Sequence, residues 1–205
     1  MNSLILAGGG GHCSSCIDVI ESEGKYRIHG IVQPISENQE SLLGYPVIGE
    51  DNDIPELISK GLHVLVTVGQ LKSPDIRVKL YRYLKEIKAP MPIIISPNSH
   101  VSSHATLQEG TIVMHGAIVN AGTHVSENCI VNSQALLEHD VFVDSHTHIS
   151  TGARVNGGVK IGKGCFIGSG AVIREGIEIG DGSVIGAGKA VFENVATGSV
   201  LRNLS

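Results

Sequence analysis

Branched aliphatic residues stand at every sixth position from Ile95 to Val191 without a break. The series begins Ile95, Val101, Leu107, Val113, Val119 and keeps the same step to Ile185 and Val191, seventeen positions in all. Four residues after each aliphatic comes a second and usually smaller set, among them Ala105, Ala117, Cys129, Ala135, Ala153 and Cys165. A period of six matches neither the α-helix, at about 3.6 residues per turn, nor the coiled coil, at about 3.5. Hairpins are excluded too, because no separated strands with two-residue turns occur. A disordered Gly-rich tail would not place Ile, Val and Leu so regularly. The pattern is that of a parallel β-helix. Each hexad supplies one short strand and a corner. The large aliphatic points inward, the small residue lets the chain turn, and each hexad bonds to its equivalent one coil away. No insertion interrupts the period, so the solenoid carries no long projecting loop.

Residues 1–94 follow a different pattern. Ser3–Ala7 is a short apolar run, followed by Gly8, Gly9, Gly10 and Gly11. Cys13–Glu23 has helical spacing, with Cys16, Ile17 and Ile20 on one face. Arg27–Val32 reads as a strand, and Asp53–Lys60 as a helix with Pro55 in its first turn. Leu62–Val68 reads as a second buried strand. Pro74–Ile87 reads as a helix with Ile76, Leu80, Tyr83, Leu84 and Ile87 at helical spacing, and Met91–Ile95 as a strand entering the first coil. Strands alternating with helices imply a small Rossmann-like parallel sheet. The chain therefore divides into an α/β domain over residues 1–94 and a β-helix over residues 95–205.

Composition changes this picture little. Among 205 residues there are three Phe, four Tyr and no Trp, which suits a solenoid core of Ile, Val and Ala. The net charge of −5, without a basic run, argues against a nucleic-acid partner. No apolar stretch approaches the length of a membrane span, and no cationic-then-apolar leader opens the chain, so a cytoplasmic protein is expected. Cys13, Cys16, Cys129 and Cys165 form no disulfide framework; Cys129 and Cys165 fill the small corner position. Cys13 and Cys16 form a lone CxxC with no second pair, and His146 and His148 lack a completing carboxylate or Cys motif, so no metal is expected.

The glycine run closes the first strand and opens the first helix. Its N–H groups can cradle an anion with help from the helix dipole. Alternatively, the glycines merely permit tight strand-to-helix packing. The dinucleotide fingerprint GxGxxG is incomplete, because Cys13 stands at the third glycine position counted from Gly8. A nicotinamide cofactor is therefore disfavoured.

The hexads Ile161–Phe166, Ile167–Val172 and Ile179–Val184 read aliphatic, Gly, x, x, small, x and resemble the hexapeptide-repeat acyltransferases. That resemblance implies left-handed winding with three hexads per coil, so that positions eighteen residues apart stack, and seventeen hexads make between five and six coils. The two halves together resemble the family of sialic acid O-acetyltransferases and bacillosamine-type nucleotide-sugar N-acetyltransferases. The motifs that carry this are Gly8–His12, Val66–Gly69, Glu138-His139-Asp140, and Ser150–Val155 with Val159–Gly162. The chain departs from the nucleotide-sugar branch at Gln33-Pro34, where an acidic pair is usual, and at Ser14, where Lys is common.

The resemblance implies a catalytic His139 oriented by Asp140, with the Gly157 N–H binding the thioester carbonyl. It places His148 near the thiol end of acetyl-CoA and Ser169 and Ala187 along the pantetheine, in a groove between subunits of a homotrimer. Most of the other repeat histidines read as surface positions. Gly10, Gly11, His12, Gln33 and Gly69 are the candidate acceptor-binding residues. The expected activity is N-acetylation of a nucleotide-linked amino sugar by direct attack. Two other readings stay open at this point: O-acetylation of a sialic-type sugar, and a non-catalytic or metal-binding hexapeptide protein.

Overall fold

The computed structural model describes residues 1–34, 40–70 and 73–202. It divides into two compact units, Met1–Ile94 and Ile95–Ser205.

In the first unit, β1 (Asn2–Ala7) lies between β2 (Tyr26–Val32) and β5 (His63–Val66), parallel to both. Next to β2 lies β4 (Tyr45–Gly49), also parallel, and β3 (Ser41–Leu42) closes the edge antiparallel to β4. The sheet is thus mixed, in the order β3-β4-β2-β1-β5. The hairpin escaped the sequence pattern for a local reason. Its turn is Leu43-Gly44, with φ of 50° and 86°. Such turns are usually announced by Asn or Asp before Gly, and Leu in a left-handed conformation gives no such signal.

The helices α1 (Gly11–Glu23), α2 (Ile54–Ser59) and α3 (Asp75–Glu86) fall where helical spacing places them. α1 ends at Gly24, whose φ of 67° supplies the left-handed cap and whose N–H returns to the Ile20 carbonyl. Its buried side is Cys13, Cys16, Ile17, Val19 and Ile20. On α3 the buried face is rotated from the expected one. Ile76 is 71% exposed, while Arg77 is 1% exposed beside Leu80, Tyr81 and Leu84. Two carbonyls explain the rotation: Arg77 Nη1 donates to Val66 O at 2.8 Å and to Val68 O at 3.0 Å. Hydrogen bonding lets a guanidinium take a place that apolar spacing assigns to Ile. The expected strand from Met91 shrinks to Ile94–Ile95. Pro90 and Pro92 lack the N–H a ladder needs.

The second unit is a left-handed β-helix of two-residue strands. Three parallel sheets of six, five and seven strands form its faces. Up to Val191 the paired residues are eighteen apart, such as Val119 with Leu137, Val125 with Val143 and Val131 with Ile149, and the last strand pairs Val184 with Val200. From Val113 to Ile185 the inward aliphatics are 0–2% exposed and form one core with Ala117, Ala135, Ala153 and Ala171 at the corners. Corner hydroxyls are spent on carbonyls of the next coil, as in Thr111 Oγ1 to Ser126 O at 2.9 Å and Thr147 Oγ1 to Gly162 O at 2.8 Å.

The corners of the middle coils each contain one left-handed residue, three places after the inward aliphatic. From residue 110 to residue 188 it recurs every six residues. Glycine fills most of these places, because a Cβ there crowds the backbone. Four consecutive corners break the rule: Asn128, Gln134, Asp140 and His146, with φ between 54° and 62°. Strain of this kind, confined to four successive corners of an otherwise regular repeat, makes that stretch a candidate for a functional site.

Candidate active site

His139 and Asp140 stand at one edge of the solenoid, both exposed, with side-chain exposures of 67% and 71%. His139 Nδ1 is 2.9 Å from Asp140 Oδ2. The backbone beneath them is fixed from both neighbouring coils. Asp140 N–H donates to Ala121 O at 3.0 Å, Gly158 N–H to His139 O at 2.9 Å, and Thr123 Oγ1 to Glu138 O at 2.8 Å. With the carboxylate at Nδ1, the proton rests there in the neutral ring and Nε2 keeps its lone pair. Asp140 makes this contact from a left-handed conformation, with φ of 58°. Its carboxylate lies over Gly122 of the preceding coil, in the space a side chain there would take. Asn120 Nδ2 donates to Glu138 Oε2 at 2.9 Å along the same edge.

Gly157 lies one coil further along this edge. The neighbouring N–H groups are used: Asn156 donates to Ile173 O and Gly158 to His139 O. No carbonyl among the described residues accepts the Gly157 N–H. A Cβ at Gly157 would lie 2.5 Å from His139 Nε2, and an N–H left without a backbone partner is a group that can bind an oxyanion in acyl transfer.

The other candidates occupy different places. His148 is 4% exposed on another face, its Nε2 3.1 Å from Asn132 Nδ2 and its ring edge-on to Phe166 with centroids 5.2 Å apart. Ser169 lies on a second edge, its hydroxyl 2.9 Å from that of Ser150, and Ala187 stacks one coil beyond it. Both are exposed. Within one chain, the structure thus groups His139, Asp140 and Gly157 at one edge and Ser169 with Ala187 at another. Most of the remaining repeat histidines are expected at the surface; His146 is one that is buried. It is 3% exposed, with Nδ1 2.9 Å from Asn128 Nδ2.

In the first unit the glycine run divides in two. A side chain at Gly8 would strike Val68, and one at Gly9 would strike Gln33, which is 2% exposed. These two glycines permit close packing. Gly10 and Gly11 are exposed and face open space, with nothing within 4 Å of a Cβ. Gly10 caps α1 without a side-chain hydrogen bond. His12 opens the helix against Gly69, whose Cβ would sit 3.2 Å from that of His12. Thr67 Oγ1 donates to Gly8 O at 2.6 Å and ties the strand-end loop to the glycine run.

Among the described residues, no group of three or more His, Cys, Asp or Glu side chains could hold a metal ion. Cys13 is buried under Thr67, and burial pushes its thiol up to about 11. Burial and the neighbouring Cys13 push Cys16 up as well. Both are protonated packing groups at neutral pH. No helix among the described residues is long and apolar enough to cross a membrane.

The sequence signals missed for this site were present in the repeat itself. The fourth place of the hexad is Gly in most corners and Asp at 140. The third place is never Gly except at Gly157.

Comparison with known proteins places the first unit and the repeat separately. Residues 3–84 match the PglD N-terminal domain. Residues 140–175 match the bacterial transferase hexapeptide (six repeats), and residues 158–193 the hexapeptide repeat of succinyl-transferase. No curated protein matches the chain. Among solved structures, the acetyltransferase domain of PglB from Neisseria gonorrhoeae FA1090, in complex with acetyl coenzyme A, is similar at 30% identity and TM-score 0.92. The match covers 99% of this chain and 97% of that one. PerB from Caulobacter crescentus, in complex with CoA and GDP-perosamine, is similar at 28% identity and TM-score 0.91, over 99% and 95% of the two chains. WeeI from Acinetobacter baumannii AYE shares the fold at 19% identity and TM-score 0.85, over 98% and 96%.

Proposed function

We propose, for a chain that belongs to the hexapeptide-repeat acetyltransferases with a PglD-type N-terminal domain, that it moves the acetyl group of acetyl-CoA to the amine of a nucleotide-linked amino sugar. The product would serve bacterial surface glycan synthesis. Acetyltransferase activity follows from the family. The amine acceptor rests on the likeness to PerB, which is seen with CoA and GDP-perosamine.

The observation that carries the mechanism is the edge formed by His139, Asp140 and Gly157, with Nδ1 held at 2.9 Å by Asp140. The amine attacks the thioester carbonyl directly. The carbonyl oxygen becomes an oxyanion and takes a hydrogen bond from the Gly157 N–H. His139 Nε2 accepts the proton released from nitrogen, while Asp140 steadies the imidazolium. The intermediate collapses, the C–S bond breaks, and the leaving thiolate takes a proton from His139. No covalent acyl-enzyme forms, and the base is ready for another cycle.

Binding is divided between the units in this reading. The open N–H groups at Gly10 and Gly11, with His12, receive the phosphates or another anionic part of the acceptor. Gln33 and Gly69 border that loop. Ser169, Ala187 and His148 line the acetyl-CoA site. Because Ser169 and Ala187 stand on a different edge from His139, a homotrimer, in which one chain's edge meets its neighbour's, supplies both walls. Sedimentation should show a trimer, and a fully active monomer would refute the shared site.

The test is a screen of UDP-, dTDP-, GDP- and CMP-linked amino sugars with acetyl-CoA, following free thiol release and the acetylated product. One nucleotide-linked amino sugar should stand out, with an amide product. Turnover only of a hydroxyl on a sialic-type sugar would replace this reading with O-acetylation.

A further inference from the structure

A methyl group at Gly157 would lie 2.5 Å from Nε2, 2.7 Å from Cε1 and 3.2 Å from Cδ2 of His139. The imidazole therefore rests on the bare Cα of the next coil. Backbone conformation does not demand glycine here. Gly157 is not among the positive-φ residues; the left-handed residue of this corner is Gly158, with φ 68°. The equivalent place in other hexads carries side chains, including Ser133, Ser145, Thr151, Lys163 and Ser169. Gly157 is the single glycine at that place from Ile95 to Val191, and it lies eighteen residues after His139, directly along the edge.

We infer that Gly157 is a positioning residue for the His139 imidazole, which seats on it while Asp140 holds the far nitrogen. This extends the proposed mechanism and rests on it for the role of His139. Two contacts then set the ring: a hydrogen bond at Nδ1 from one side and a packing floor from the next coil. Any Cβ at residue 157 would push the ring off the floor and displace Nε2. A role as N–H donor alone makes a different claim, because alanine keeps the N–H.

The experiment is a double-mutant cycle of Gly157→Ala and His139→Ala, read by kcat, by both KM values and by Tm. A parallel NMR titration follows the His139 ring, assigned by its loss in His139→Asn. Gly157→Ala should lower kcat by about tenfold to a hundredfold, since small displacements of a reacting group cost that much. The KM for acetyl-CoA should stay within about twofold, and the ring resonances of His139 should shift. In the His139→Ala background the same change should cost less than about threefold in kcat and leave Tm unchanged, because alanine suits the coil once the ring is gone. Equal losses in both backgrounds would overturn the seat, as would unmoved His139 resonances in Gly157→Ala. Should His139→Ala alone retain full activity, the general-base reading fails, whereas the NMR shift and the Tm coupling still decide the seat.

Discussion

Asp140 is in a left-handed corner that most hexads give to glycine, so Asp140→Gly separates folding from catalysis. An L residue in this conformation costs roughly 1–2 kcal/mol, with Asp at the lenient end. Glycine removes that strain. It also adds unfolded-chain entropy, which costs roughly 0.5–1 kcal/mol. The two effects nearly cancel, and the carboxylate given up is 71% exposed, where ion pairs add little stability. The net change is within about 1 kcal/mol, a Tm shift of at most about 5 °C for a unit of this size. Activity should respond differently. Without the carboxylate, nothing fixes the proton at Nδ1, and the His139 ring turns on its seat. A positioned base contributes about 10²–10⁴-fold, and losing its orientation should forfeit roughly tenfold to a hundredfold of that in kcat. Asp140→Ala is the control: it loses the carboxylate but keeps the strain, so it should match Asp140→Gly in rate while melting lower. Thiol-release kinetics and thermal melts on the same preparations suffice. The reasoning is refuted if Asp140→Gly keeps kcat within about threefold, or if it destabilises more than Asp140→Ala.

The other expectations concern both units. His139→Ala should lower kcat by about 10²–10⁴-fold with an unchanged melting curve, because its side chain is 67% exposed. Gly10→Ala meets no atom within 4 Å, so it should fold normally and raise the acceptor KM selectively, whereas Gly9→Ala strikes the buried Gln33 and should lower Tm first. A free amino sugar used as well as its nucleotide-linked form would remove the glycine run from acceptor binding. Cys13 and Cys165 keep their protons to about pH 11 in the fold, against about 9 in an unfolded chain. The folded state thus binds more protons between those values, and stability should fall as pH rises from about 9 toward 11. Thermal melts across that range check the sign, and a thiol reagent at pH 8 should label these cysteines only after denaturation.

Much of the second unit is legible in the order of its residues, because a solenoid is nearly one-dimensional. A strict step of six from Ile95 to Val191, with coils of three hexads, determines which residues stack. His139 and Gly157 differ by eighteen and share an edge. His139 and Ser169 differ by thirty and cannot. The glycines at the corners, and their absence at Asn128, Gln134, Asp140 and His146, are readable from the same count. Periodicity also announces the helices of the first unit, but not which way each one turns. Ile76 has the spacing of a core residue, yet Arg77 takes the buried place, because the Val66 and Val68 carbonyls at the end of the neighbouring strand accept its guanidinium, and spacing along the helix does not show them. Leu43-Gly44 likewise makes a hairpin without the residues that usually announce one. The division of the glycine run into packing and open positions depends on where Val68 and Gln33 come to rest. The seat of His139 depends on the direction its ring takes across the corner. A repeat dictates where each Cα stacks, since the backbone ladder repeats with it. Where a side chain points is decided by the space its neighbours leave, and that space exists only once the coils are assembled.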